Sequence, residues 1–311
     1  MSPSFSSTIL SWYSQHKRFL PWRDNPTPYH VLVSEIMLQQ TQVSRVIIKF
    51  KEFLTRFPTL AHLAQASSAE VIRAWSGLGY NRRALLLHAL AKEIVQKYQG
   101  NIPHSKPELL KLPGIGDYTA GALLSFAYNQ PEPAIDVNVR RIYQRYFHGR
   151  DQGLPGGKNE EKELYGLAQS TIPSGKSTEF HNALMDFGSM ICTRDAPHCG
   201  KCPLRSSCHF FPLYTNKKEK VLLVMEKKLE PGVHEGDKFI PNRIFRGRIV
   251  EFVRNDAGKE YTVRRFGQRI KSDYNVNDTP WLLSLCQKLQ QEGLITYTVT
   301  GNKINLHLAK I

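Results

Sequence analysis

Acidic residues are scarce in this 311-residue chain, with 27 Asp and Glu against 42 Lys and Arg. The formal net charge is +15 and the pI is near 9.6, a balance that points to a polyanionic partner. The excess is not confined to a tail, because 216–311 carries 18 Lys and Arg against 11 Asp and Glu. Cysteine is also scarce. Of five, Cys192, Cys199, Cys202 and Cys208 crowd together and Cys286 stands alone, unlike a secreted disulfide framework. No apolar run approaches the ~18 residues of a membrane span. Residues 1–8 are polar, without the basic start and apolar core of a secretory signal. A reducing, cytoplasmic setting is expected. Strand patterns are nearly absent before residue 215 and no solenoid-type repeat appears, while the length leaves room for about two domains of ~150 residues.

Helical periodicity fills what remains. Helices are expected over 4–17, 29–40, 43–57, 61–66, 69–75 and 82–98, with a proline-rich loop over 20–28 and a glycine break at 77–80. Further helices are expected over 137–147, 160–172 and 180–191.

Between them lies Leu112-Pro113-Gly114-Ile115-Gly116, which cannot be regular helix. Pro113 removes an N–H and disfavours helical angles at Leu112, and Gly114 and Gly116 accept backbone angles that other residues resist. A short helical turn over 106–111 precedes it, and a helix opening with Asp117 in its first turn follows. Bare N–H groups at such a start, with no side chain on the glycines, can cradle a phosphate. A tight helix–helix turn without a ligand has the same pattern.

Two carboxylates stand out. Glu35 has Val31, Leu32 and Leu38 as its helical neighbours, an apolar stripe that would partly desolvate it and raise its pKa toward neutrality. The alternative places it at the stripe's edge, against water or Arg45. Asp136 is positioned to cap the helix that follows it and is also a candidate active-site carboxylate. Gln39, Gln40 and Gln42 end the Glu35 helix with amides suited to nucleobase edges, or to plain surface.

The most specific signal is Cys192-x6-Cys199-x2-Cys202-x5-Cys208, four thiols in 17 residues, enough to enclose one metal centre. Spacing alone leaves zinc and iron–sulfur open. Arg194, His198, Lys201 and Arg205 make the same loop a candidate phosphate contact, and Cys286 reads as a buried small hydrophobe. After it, 216–238 reads as a charged linker. Helices over 241–254, 262–271 and 279–292 then precede two alternating segments, 294–299 and 303–308, around Gly301. Three helices and a terminal hairpin suggest a winged helix over 239–311.

At these residues the chain resembles the helix-hairpin-helix DNA glycosylase superfamily and, within it, the adenine DNA glycosylases of the MutY type. The resemblance runs from about 20 to 208. It rests on Leu20-Pro21-Trp22-Arg23, the segment Ser34 through Gln42, Trp75-Ser76-Gly77-Leu78-Gly79-Tyr80, the Leu-Pro-Gly-Ile-Gly hairpin, Asp136-Val137-Asn138-Val139 and the cysteine quartet. It implies an all-α core over 1–215: a six-helix barrel lobe over about 25–130 and an iron–sulfur lobe formed by 1–24 with 131–215. Adenine flipped from the duplex would enter the cleft between the lobes. Glu35 would protonate the adenine ring, Asp136 would stabilise positive charge on the sugar, and Asn138 would help place the nucleophile or its water. Tyr80 would wedge into the base stack with Gln40 nearby, and Gly114, Gly116 and their neighbouring amides would hold a phosphate. Cys192, Cys199, Cys202 and Cys208 would bind a four-iron four-sulfur cluster, with iron chosen over zinc by resemblance alone.

Tyr118 stands where the related endonuclease III group carries a lysine, so the resemblance implies a monofunctional glycosylase without Schiff-base strand cleavage. The expected partner is double-stranded DNA containing A:8-oxoguanine or A:G mispairs, bound by a monomer. The alternatives are an endonuclease III-like enzyme acting on oxidised pyrimidines or mismatched thymine, and a non-catalytic iron–sulfur DNA-binding protein. The chain departs from the family pattern twice. Val137 replaces the glycine of the usual Asp-Gly-Asn-Val, and the residues after 215 are too few and too helical for the β-rich domain that reads 8-oxoguanine.

Overall fold

The computed structural model describes residues 4–151, 157–216, 230–256 and 259–309. Its helices, in order, are α1 (Phe5–His16), α2 (Pro21–Asp24), α3 (Pro28–Leu38), α4 (Val43–Arg56), α5 (Leu60–Gln65), α6 (Ser68–Ala74), α7 (Arg82–Tyr98), α8 (Lys106–Leu109) and α9 (Asp117–Ala122). A π turn, Leu123–Ala127, continues α9; α10 (Val137–His148), α11 (Lys158–Thr171), α12 (Ser177–Met190) and α13 (Phe210–Asn216) follow. Strands β1 (Gly232–Glu235) and β2 (Lys238–Pro241) precede α14 (Asn242–Asp256), β3 (Glu260–Thr262), α15 (Val263–Ile270), α16 (Thr279–Gln291), β4 (Ile295–Thr300) and β5 (Lys303–Leu308). No helix among the described residues is long and apolar enough to cross a membrane.

The chain divides into two compact units. The first comprises 1–35 and 102–223. Its core gathers Ile9, Trp12 and Tyr13 of α1, Ile142 and Tyr143 of α10, and Phe180, Leu184 and Phe187 of α12. Phe5 packs within 6.3 Å of the rings of Tyr143, Tyr146, Phe147 and Phe180. Asp186 of α12, fully buried, accepts from Arg18 Nε at 2.7 Å and from Arg23 Nη1 at 2.9 Å, which ties the Leu-Pro-Trp-Arg segment to this core. Breaking such a buried pair typically costs about 3–5 kcal/mol.

The second unit comprises 36–101 and 224–311. Ser67 caps α6 in a reciprocal capping box with Glu70, and Thr59 caps α5, each contributing about 1 kcal/mol. Strands β3, β5 and β4 form an antiparallel sheet in that order, and α14, α15 and α16 pack on it in a winged-helix arrangement. Its core of Phe245, Ile249, Phe266, Leu282, Leu285 and Cys286 extends to Ala69 and Ile72 of α6. Arg254 donates to the Ile72 carbonyl at 3.1 Å and to Asn81 Oδ1 at 2.7 Å, so the module is fastened to α6 and the start of α7.

The structure adds to the sequence reading here. The stretch 216–238 is not wholly a linker, because β1 lies in it and pairs with β2; its portion 217–229 lies outside the described residues. A third strand, β3, completes the sheet around the expected terminal hairpin.

Candidate active site

Glu35 lies on α3 within a stretch, 31–37, that is buried throughout, and is itself 8 % exposed. Tyr118, in the first turn of α9, donates its hydroxyl to Glu35 Oε2 at 2.8 Å. Burial drives the Glu35 carboxyl up to about 7; the nearby Asp136 charge pushes the same way, while the Tyr118 bond and Arg23 oppose it. Arg45 has no part in its surroundings as described, and the desolvated reading holds. Burial also raises Tyr118 well above its ordinary range, so it remains a neutral donor.

Asp136 caps α10. Its Oδ1 accepts from the backbone N–H groups of Asn138 and Val139, both at 2.8 Å, and its Oδ2 accepts from Asn138 Nδ2 at 2.7 Å. Burial raises its pKa, and these bonds together with Arg141 pull it back. The Asp136 charge is felt at Glu35, which places the two carboxyls within electrostatic range. Val137 occupies the first position of α10, is 74 % exposed, and is not among the residues with positive φ. Nothing in the local backbone requires glycine there.

Asn138 is held from behind. Arg141 Nη2 donates to Asn138 Oδ1 at 2.9 Å and to the Gly188 carbonyl at 2.8 Å, and Arg141 Nε donates to the Cys192 carbonyl at 2.8 Å. Arg141 thereby links the first cysteine of the quartet to the Asp136–Asn138 pair. Gly188 must lack a side chain, since a Cβ there would sit 2.8 Å from Asn138 Cβ. His181, which burial holds near pKa 4 and so neutral, accepts the Ala134 N–H at 3.2 Å, two residues before Asp136.

The glycine hairpin takes the expected form. Gly114 adopts φ 78°, which favours glycine, and Gly116 is the N-cap of α9 with open space where a Cβ would lie. Gly121 meets the Pro133 carbonyl so closely that a Cβ would overlap it, which sets the chain leading to Asp136 against α9.

In the second unit, Gln40 and Tyr80 are exposed, both with positive φ (55° and 45°). Arg83, 8 % exposed, organises both segments. Its Nη1 donates to the carbonyls of Ile36 at 2.8 Å and Met37 at 3.0 Å, and its Nη2 to Thr41 Oγ1 at 3.0 Å and to the carbonyls of Leu78 and Gly79 at 3.2 Å. The sequence reading missed Arg83, Arg141, His181 and Gly188. Each acts on a partner distant in the chain, and only the adjacency of Arg83 to the Gly-Leu-Gly-Tyr break offered a local signal.

Cys192, Cys199, Cys202 and Cys208 are all free thiols and half-buried. Cys192 follows α12, and two 3₁₀ turns, Cys199–Lys201 and Arg205–Ser207, carry the others. Burial raises the Cys199, Cys202 and Cys208 thiols, and the nearby Cys192 adds to the rise of each. Arg145, 2 % exposed, places Nη1 3.6 Å from Cys192 Sγ and donates to the Thr193 carbonyl at 2.6 Å. Among the described residues, no three His, Cys, Asp or Glu converge as a single-ion site.

The sequence model for "HhH-GPD superfamily base excision DNA repair protein" matches residues 33–169. An adenine DNA glycosylase of Mycobacterium tuberculosis (strain CDC 1551 / Oshkosh) is 42 % identical over 202 residues, 64 % of this chain and 65 % of that protein. The one from Mycolicibacterium smegmatis is 42 % identical over 203 residues, 65 % of this chain and 68 % of that protein. Among solved structures, a thermostable thymine-DNA glycosylase aligns with a TM-score of 0.63 at 31 % identity, covering 67 % of this chain and 95 % of that one.

The chain therefore belongs to the HhH-GPD superfamily of base excision DNA repair proteins, and its relatives place it in that superfamily's adenine DNA glycosylase family. The match spans 65 % of the length of the M. tuberculosis relative.

Proposed function

We propose that the chain is a monofunctional DNA glycosylase that hydrolyses the N-glycosidic bond of adenine mispaired with 8-oxoguanine or guanine. The observation that carries this reading is the environment of Glu35: a buried carboxyl brought to about pKa 7, within electrostatic range of the capped, hydrogen-bonded Asp136. Glu35 holds its proton near neutrality and gives it to a ring nitrogen of the flipped base. The C1′–N bond breaks with its electron pair passing to the protonated adenine. Asp136, ionised, faces the oxocarbenium-like sugar, and Asn138, fixed by Arg141, orients the water that adds to C1′ and returns a proton to the Glu35 carboxylate left by the first transfer. Tyr118 has no amine to form a Schiff base, so the product is an intact strand with an abasic site. Tyr80 is suited to enter the stack beside Gln40, and the Gly114–Gly116 hairpin to hold a phosphate.

The cysteine quartet has a donor set that suits a four-iron four-sulfur site, and the choice of that cluster over zinc rests on the family alone. Cys192, Cys199, Cys202 and Cys208 would hold it, with Arg145 against Cys192 offsetting thiolate charge. When bound, the cluster cross-links the loop 192–208. The chain's own residues, through Arg141, connect that loop to Asn138.

Base release under single-turnover conditions from A:8-oxoguanine, A:G, A:T and thymine glycol:A duplexes, each with and without alkali, tests the reading. Alkali-dependent cleavage at adenine in the first two supports it. Cleavage of thymine glycol without alkali would assign the chain to the endonuclease III type.

A further inference from the structure

Charge in the C-terminal module is unevenly neutralised. Four of its described arginines have carboxylate partners: Arg243 with Glu230, Arg246 with Glu292, Arg248 with Glu235 and Arg254 with Glu251. The other three, Arg264, Arg265 and Arg269, form no ion pair among the described residues, and all lie on the eight-residue α15. With Gln268 they are the exposed residues of that helix, at i, i+1, i+4 and i+5, and so share one face. Asp256, paired with Lys259 at 2.8 Å, also interacts electrostatically with Arg269 without forming an ion pair with it. Arg265 also lies over the Tyr261 ring at 5.9 Å.

The opposite face of α15 is rigidly seated. Phe266, Gly267 and Ile270 are buried, Thr262 caps the helix, and Gly267 lacks a side chain because the Tyr274 ring occupies that space. Tyr274 is in turn hydrogen-bonded to Thr279 at 2.7 Å. Through this turn α15 leads into α16 as the first helix of a helix-turn-helix, the helix that in such folds crosses the DNA backbone. The same unit carries Tyr80, and Arg243 of α14 interacts electrostatically with the Tyr80 phenol. The module is thus built beside the segment suited to enter the base stack.

We propose that the Arg264–Arg265–Gln268–Arg269 face of α15 binds the phosphate backbone of duplex DNA, as a sequence-independent contact separate from the base-excision site. Three unneutralised guanidiniums and an amide on one face of the helix that in such folds crosses the backbone supply charge and donors suited to phosphates. The proposal rests on the chain being a DNA-acting protein.

The test uses the full chain and an undamaged duplex of defined length, with binding followed by fluorescence anisotropy across a range of KCl concentrations. R264Q/R265Q/R269Q is expected to lower the slope of log K against log salt by about 2–3, since each phosphate contact contributes about 0.9. Its single-turnover base release at saturating enzyme should remain at the wild-type value. R264K/R265K/R269K should restore most of the slope and show that charge, not folding, is read. K259Q/K303Q, which removes cations paired with Asp256 at 2.8 Å and Glu260 at 2.7 Å, should change the slope less than the triple variant. An unchanged slope in the glutamine triple variant, or an equal loss in K259Q/K303Q, would overturn the proposal. Wild-type protein that binds duplex with a normal slope but releases no base would overturn only the catalytic reading.

Discussion

Tyr118 donates its hydroxyl to Glu35 Oε2 at 2.8 Å, and the bond works against the burial that raises the Glu35 carboxyl to about 7. A donor favours the carboxylate, while desolvation favours the acid. The pair therefore holds the proposed general acid near neutrality rather than well above it. Removing the donor by Tyr118→Phe should move the alkaline limb of the single-turnover pH profile upward by roughly one unit, as expected for losing a charge-assisted bond of about 1.5–3 kcal/mol that is partly replaced by solvent. An unmoved limb would mean that another group sets it.

The wild-type profile should be bell-shaped. Its alkaline limb falls through about pH 7 as Glu35 loses its proton, and its acid limb lies above the ordinary aspartate range because burial raises Asp136. Titration of base release from pH 4 to 9 at saturating enzyme would show both.

The raised Glu35 pKa also carries a stability cost with a definite sign. Between about pH 4.5 and 7 the folded chain keeps a proton that the unfolded chain releases, so stability falls as pH rises through that window and levels off above it. A shift of this size corresponds to about 3 kcal/mol. Glu35→Gln should therefore gain stability relative to wild type as pH moves from 5 to 8, seen as a growing difference in denaturation midpoint. A pH-independent difference would show that Glu35 is not desolvated.

Gly121 and Gly188 define how closely the backbone approaches the site. A methyl at 121 would overlap the Pro133 carbonyl, and one at 188 would lie 2.8 Å from Asn138 Cβ. Each alanine variant should cost about 1–3 kcal/mol by overpacking and slow base release by displacing Asp136 or Asn138. Denaturant unfolding and single-turnover rates would measure the two effects, and normal values of both would contradict the packing.

Arg83→Lys should weaken DNA binding more than it slows the chemical step. A lysine has no fork to span the carbonyls of Ile36, Met37, Leu78 and Gly79 that fix the Gln40 and Tyr80 segments. Binding and saturating-enzyme rates measured together would separate the two effects.

The parts of the site read directly from sequence were those that act through their own neighbours in the chain. Glu35 revealed itself through an apolar stripe, Asp136 through its position before a helix, and the hairpin through Pro113 and two glycines. The residues that escaped notice work across long separations: Arg141 reaches Cys192 and Gly188, and His181 reaches Ala134. Strands β1, β2 and β3, with four, four and three residues, are too short to display alternation, and β1, the one that lies within 216–238, reads in sequence as part of a linker. The terminal hairpin, with two six-residue strands around Gly301, was legible for the opposite reason.

The central claim is that Glu35 supplies the proton that releases adenine. Its most direct test is single-turnover base release from an A:8-oxoguanine duplex by wild-type protein and Glu35→Gln at pH 7 and saturating enzyme, with duplex affinity measured in parallel. Loss of general-acid catalysis predicts a fall of about 10²–10⁴-fold in rate with affinity retained. Base release within a few-fold of wild type, at equal affinity, would contradict the assignment.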